Sequence, residues 1–285
     1  MHSSRPLAVG AFALVMVLST ACSAARAPHS AGAGTPAPSS TAAAPTAVRP
    51  PAANADFDYQ LGGAYPPPAG VRAVSRDRTA RPAPGLYNIC YVNAFQAQPD
   101  AGGLWKRRHP ELLLRDERGK PVVDEDWDEP LLDISTAAKR RALMDIVGPW
   151  IDGCATAGFE AVEPDNLDSY ERSDGRLTAG HAAAFARLLA QRAHQRRLAV
   201  AQKNTTDLLP QHHRIGFDFA VVEECARYHE CTDFAAAYAG KVFVIEYEKK
   251  DFAAACRAWG KSLSISLRDR EVRAAGTEGH VAERC

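Results

Sequence analysis

Gly158-Phe159-Glu160-Ala161-Val162-Glu163-Pro164-Asp165-Asn166 reads as a short apolar strand that runs into two acids and an asparagine. A buried parallel strand is short and apolar, and a carboxylate at its C-terminal end costs desolvation energy unless it is paired, hydrated or used in chemistry. Asp165 is therefore the first candidate for catalysis. The plainer alternative is that Asp165 and Asn166 only cap the turn or helix that follows, as Asp and Asn often do. The flanking sequence decides between the two.

Downstream, the pattern repeats. Thr178 caps a helix that buries Phe185, Leu188 and Leu189 and ends in a basic run at 194–197, which the helix dipole explains without a functional role. Strand 198–202 then runs into Lys203-Asn204, strand 217–222 into Glu223-Glu224, strand 242–245 into Glu246-Tyr247-Glu248, and strand 263–267 into Arg268-Asp269. A helix over 251–259 is closed by Gly260. Upstream, 131–134 reads as a strand, followed by a helix capped by Ser135 with an apolar face of Leu143, Ile146, Val147, Trp150 and Ile151. Segments 86–93 and 57–62 are earlier strands. Between them, 71–77 is either a strand or part of an irregular stretch, because too few residues separate it from 86 for a crossover helix.

Eight strands, or nine with 71–77, mostly followed by helical pattern, predict an α/β fold of the (β/α)8 TIM-barrel type. Gln60, Asn93, Asp133, Asp165, Lys203, Asn204, Glu223, Glu246, Glu248 and Asp269 all fall at C-terminal strand ends, the face where such barrels carry their active sites. One polar strand end carries little information; this many favour the catalytic reading. The chain has no glycine-rich phosphate loop, no close His and Cys spacing for zinc and no Gly-x-Ser-x-Gly elbow, so chemistry by carboxylates is expected, with no metal and no cofactor.

A long excursion, 94–129, interrupts the alternation and carries Trp105, Trp127 and the acids Asp124, Glu125, Asp126, Asp128 and Glu129. Its tryptophans suit stacking on sugar faces and its acids a cationic ligand, or else they pin the loop and face solvent.

The chain opens with Arg5, an apolar run at 7–18, and small residues before Cys22, which together read as a signal peptide over 1–22. The residues before Cys22 look like a bacterial lipobox, which would make Cys22 the lipidated first residue of an extracellular, membrane-anchored protein; the alternative is cleavage without lipidation, for example after Ala25-Arg26-Ala27. Residues 23–55 are almost wholly Ala, Pro, Ser, Thr and Gly and are expected to form a disordered tether. The remainder, 56–285, is long enough for one large barrel domain. Acidic and basic residues balance at 34 each, so no bulk charge points to nucleic acid, and the protein is expected to act as a monomer. Beyond Cys22 six cysteines remain, an even number that suits disulfides in an oxidising compartment, although Cys90 inside its strand could equally be a buried thiol.

Several motifs in this order resemble those of glycoside hydrolase family 114, the endo-α-1,4-polygalactosaminidases. They are Tyr59-Gln60-Leu61-Gly62, Cys90-Tyr91, Leu132-Asp133-Ile134, Val162-Glu163-Pro164-Asp165-Asn166, Lys203-Asn204, Glu223-Glu224-Cys225 with Cys231, and Glu246-Tyr247-Glu248. The resemblance implies a barrel that hydrolyses an α-1,4-linked amino-sugar polymer with two carboxylates and retention of configuration, Asp165 as nucleophile and Glu223 as general acid/base. It also implies that Gln60, Tyr91, Asp133, Asn166, Lys203, Asn204, Glu224, Glu246 and Tyr247 bind substrate.

Two alternatives stand beside this expectation. The family's Asn-Glu-Gln-Cys segment reads Val222-Glu223-Glu224-Cys225 here, which motivates a barrel that binds polysaccharide without cutting it. The other is a metal-assisted hydrolase holding a hard cation on Asp133, Asp165 and Glu223.

Overall fold

The computed structural model describes residues 47–285. In chain order its strands are β1 (Phe57–Gln60), β2 (Ala73–Asp77), β3 (Tyr87–Asn93), β4 (Val123–Asp124), β5 (Glu129–Pro130), β6 (Ala161–Asp165), β7 (Ala199–Lys203), β8 (Phe219–Glu223), β9 (Val242–Glu246), β10 (Ser264–Arg268) and β11 (Ala282–Arg284). Its helices are α1 (Ala137–Ala157), α2 (Ala179–Gln195), α3 (His212–Ile215), α4 (Cys225–Tyr228), α5 (Cys231–Tyr238) and α6 (Lys249–Trp259). The order β1-β2-β3-β6-β7-β8-β9-β10 is parallel throughout, and β11 adds antiparallel to β10. The seam between β10 and β1 is bridged by Ser266 Oγ donating to the Phe57 carbonyl at 3.1 Å. Above it Gly62 N donates to Val272 O at 3.1 Å, an approach only glycine permits, since a Cβ there would lie 2.5 Å from that oxygen. This is the expected (β/α)8 barrel.

Strand alternation builds two cores. Inward residues, among them Phe57, Ile89, Ala161, Ala201, Phe219 and Ile245, fill the barrel, and outward ones, such as Val162, Val200, Val222 and Val244, pack under the helices. The same alternation decides which polar strand ends reach the barrel mouth.

Four local expectations change. Residues 131–134 are not a barrel strand. Leu131 and Leu132 make only isolated antiparallel bridges, to Gln96 and Leu113, and sit fully buried beside the β4–β5 hairpin. Their apolarity reports burial under the excursion, and the eighth barrel strand is β2 instead. Thr136, not Ser135, caps α1, accepting from Lys139 N at 3.2 Å. Cys90 is not a thiol: it points outward from β3 and is joined to Cys154 of α1, while Cys225–Cys231 and Cys256–Cys285 complete three disulfides.

The last is the boundary at 55. Val48 packs at the inner core's lower end, Pro51 and Ala55 are buried, and the Arg49 carbonyl accepts from Tyr87 Oη at 2.8 Å, so 47–55 belongs with the barrel. Residues 1–46, with the apolar run and Cys22, lie outside the described residues. Among those described, no helix is long and apolar enough to cross a membrane.

Candidate active site

Three successive strands end in the same way. Asp165 closes β6, Lys203 closes β7 and Glu223 closes β8, each on an inward position. The next residues, Asn166, Asn204 and Glu224, all have left-handed backbone, with φ of 66°, 49° and 58°. That kink turns the chain out toward the rim and leaves the preceding side chain aimed into the mouth. Asparagine visits this conformation more readily than most residues, and here both side chains tie the rim to a neighbouring strand: Asn166 Nδ2 donates to Asn93 Oδ1 at 3.2 Å, and Asn204 Nδ2 to Glu223 Oε2 at 3.0 Å. Glu224 lacks that advantage and is held by Arg227 at 2.6 Å.

Lys203 is the hub. It is 2% exposed, and its Nζ lies 2.8 Å from Asp165 Oδ1, 3.2 Å from Glu163 Oε1, 3.3 Å from Glu223 Oε2 and 3.0 Å from Tyr59 Oη. Each carboxylate also has its own tyrosine hydroxyl donor: Tyr59 to Glu163 at 2.8 Å, Tyr91 to Asp165 at 2.6 Å, and Tyr247 to Glu223. Burial, reinforced by Glu163, Asp165 and Glu223 respectively, pushes all three phenols well above their usual range, so they stay protonated donors. Burial alone would also raise Asp165, but the Lys203 ammonium and the bonds from Lys203, Tyr91 and Asn166 N–H outweigh it and hold the carboxyl below its ordinary value. Glu163 goes the other way. It is wholly buried, and burial and the Asp165 charge raise it despite Lys203 and a 2.6 Å bond from Ser75.

Above this cluster opens a cleft of about 650 Å³, lined by eleven acidic residues against three basic ones, Arg172, Lys203 and Arg270. The acids of the excursion contribute, but unequally. Asp124 is buried and pairs with Arg172 Nε at 2.7 Å, Asp126 is open to solvent, and Glu125 lies outside the lining. Trp127 lines the cleft, whereas Trp105 is buried and packs edge-on against Trp150.

Of the expected site residues, Asp165, Glu223, Tyr91, Asn166, Lys203, Asn204, Glu224 and Tyr247 come together in this cleft. Three do not. Gln60 is buried beneath the rim, bonding Asp58, Arg76 and Tyr65 N. Asp133 accepts from Ser135 N and Oγ in the turn before α1, pairs with Lys139 at 3.3 Å and lies outside the cleft, so Asp133, Asp165 and Glu223 do not form a joint cation site. Glu246 points outward, where its Oε1 accepts from Ala226 N at 2.8 Å. It lies beside Cys225 and Cys231, but both sulfurs are committed to their disulfide. Tyr59 and Glu163 were missed as site residues, although both sit at even spacing on an inward face, Glu163 two residues before Asp165.

Comparison with solved structures finds a crystal structure of Aspergillus fumigatus Ega3, in complex with galactosamine, at 26% identity and a TM-score of 0.67, covering 85% of this chain and 99% of that one. The glycoside hydrolase domain of PelA from Pseudomonas aeruginosa shares the fold at 15% identity and a TM-score of 0.57, covering 78% and 97%. No curated protein sequence matches the chain. Glycoside-hydrolase family GH114 matches residues 37–285, and the chain belongs to that family.

Proposed function

We propose that the protein hydrolyses an α-1,4-linked galactosamine polymer with retention of anomeric configuration, Asp165 serving as nucleophile and Glu223 as general acid/base. The observation that carries this is the shared ammonium. Asp165 Oδ1 and Glu223 Oε2 lie 2.8 and 3.3 Å from Lys203 Nζ. Two oxygens so placed are at most about 6 Å apart, short of the ~6.5–9.5 Å that an inverting enzyme needs to fit a water and nearer the ~5–5.5 Å of a retaining one.

In the first step an Asp165 carboxylate oxygen attacks C1, the glycosidic C–O bond breaks, and the leaving oxygen takes the Glu223 proton. In the second, Glu223 removes a proton from water, the water oxygen attacks C1, and the Asp165 ester bond breaks. Lys203 keeps Asp165 ionised for the first step. The excess of carboxylates in the cleft suits a polymer bearing free ammonium groups, as does the galactosamine named in the Ega3 complex. Three disulfides favour an oxidising compartment, consistent with a secreted enzyme anchored by lipid at Cys22.

The test is proton NMR of the earliest products from a deacetylated galactosamine polymer. α-Anomers appearing before mutarotation support the assignment, and β-anomers overturn retention. Asp165→Asn and Glu223→Gln should each abolish product release. A polymer left uncut by the wild type would remove the glycosidase assignment altogether.

A further inference from the structure

Among the described residues, two large apolar side chains stand open to solvent, Trp127 at 43% and Tyr228 at 57%, and both line the catalytic cleft. A lone exposed aromatic needs no explanation; two that both fall on the rim of one cleft do. They are built alike. Arg270 lies over Trp127 with its guanidinium carbon 5.3 Å from the ring centre, and Arg227 lies over Tyr228 at 5.4 Å. Arg227 is steadied in turn by Glu224 at 2.6 Å, whereas Asp126 lies 3.8 Å from Arg270 with both side chains open to solvent. One face of each ring is thus backed by a cation, and the ring is oriented before any ligand arrives, which reduces the ordering cost of binding.

The two rings come from separate sectors of the rim. Tyr228 ends α4, five residues beyond Glu223, while Trp127 sits at the tip of the β4–β5 hairpin and meets Arg270 from the segment after β10. A pyranose of galacto configuration carries its C3, C4 and C5 hydrogens on one side. That apolar face stacks on an aromatic ring, while its ammonium and hydroxyl groups remain for water and carboxylates.

Resting on the glycosidase assignment above, we infer that Trp127 and Tyr228 are two sugar-stacking platforms that hold units of an amino-sugar chain beyond the one being cut. A cleft of about 650 Å³ has room for more than the reacting sugar.

Trp127→Ala and Tyr228→Ala in the full chain test this with two substrates, a galactosamine polymer and a 4-nitrophenyl α-galactosaminide that offers a single sugar. Each variant should raise KM on the polymer about tenfold, and should lose about tenfold more kcat/KM on the polymer than on the aryl glycoside. Unchanged polymer kinetics in both variants, or equal loss on both substrates, would overturn the platforms while leaving the glycosidase assignment intact. A wild type that cuts neither substrate would remove that assignment instead, and calorimetric titration with the polymer would still decide the platforms. Affinity about tenfold weaker in the variants supports them; equal affinity overturns them.

Discussion

Asp165 Oδ1 lies 2.8 Å from Lys203 Nζ, and that ammonium also serves Glu163 and Glu223 at 3.2 and 3.3 Å. Burial pushes Lys203 down, but the surrounding Asp165, Glu223, Tyr59 and Glu163 reverse this and raise it well above its usual range. The raised Lys203 contributes stability that is complete below its unfolded pKa of about 10.4 and lost as pH climbs through the folded value. The depressed Asp165 contributes stability present above about 3.9 and lost as pH falls through its folded value. Both contributions therefore hold across neutral pH.

Lys203→Met leaves the buried carboxylates without their cation. The variant should lose about 3–5 kcal/mol of stability in denaturant titrations near pH 7. The acid limb of kcat/KM should also move to higher pH, because Asp165 loses the charge that keeps it ionised. An unmoved acid limb in a folded variant would show that Lys203 does not control Asp165.

Glu246 offers the opposite sign. Burial pushes its carboxyl up to about 7, with the Ala226 N–H pulling it down and Asp251 pushing it up. The folded state therefore holds the proton more tightly than the unfolded chain, and this contribution is complete below about pH 4.3 and gone above about pH 7. Glu246→Gln cannot ionise. Relative to wild type, its melting temperature should be lower or equal at about pH 5 and should gain steadily toward about pH 8. A difference constant over that interval would show that the carboxyl does not titrate there.

Much of this was legible in the strand pattern, and the failures share one cause. Counting in twos along β9 from Phe243 and Ile245 makes Tyr247 inward and Glu246 outward, and the same count along β6 makes Glu163 a partner of Asp165. Polarity at a strand end identifies the rim, but only parity identifies the side of the wall. The 131–134 segment failed differently: a buried apolar run under a long loop has the composition of a barrel strand and none of its neighbours. The convergence of Tyr59, Tyr91 and Tyr247 on three separate carboxylates arises from strand register around the closed sheet, which no single segment encodes.

The disulfides should separate stability from catalysis. Cys90–Cys154 ties β3 to α1 across 64 residues, whereas Cys225–Cys231 closes only six, beginning two residues after Glu223. Loop-closure entropy assigns about 4 kcal/mol to the long link and about 2 kcal/mol to the short one. Cys90→Ala with Cys154→Ala should therefore be the less stable double variant in urea. Cys225→Ser with Cys231→Ser should lose more kcat, because it frees the turn carrying Glu223 and Glu224. The reverse ordering in either measurement would refute this division.

The acidic excursion should act through two different mechanisms. Asp126 is exposed, its side chain 76% open, and its Coulomb attraction for an ammonium-bearing chain is screened by water and salt. Asp126→Asn should raise KM on a deacetylated polymer about twofold with kcat held, and the effect should fade in high salt and on a fully N-acetylated polymer. Asp124 has no such freedom. It is buried, accepts from Gln96 Nε2 at 3.0 Å and Asp126 N at 3.1 Å, and pairs with Arg172, which in turn reaches Asn166 Oδ1 at 3.5 Å, the residue next to Asp165. Asp124→Asn should cost about 1.5–3 kcal/mol of stability and lower kcat equally on charged and acetylated polymers, with no relief or worsening in salt. If the two variants instead behave alike, either both salt-sensitive or both indifferent to substrate charge, the distinction between a steering acid and a structural one fails for this loop.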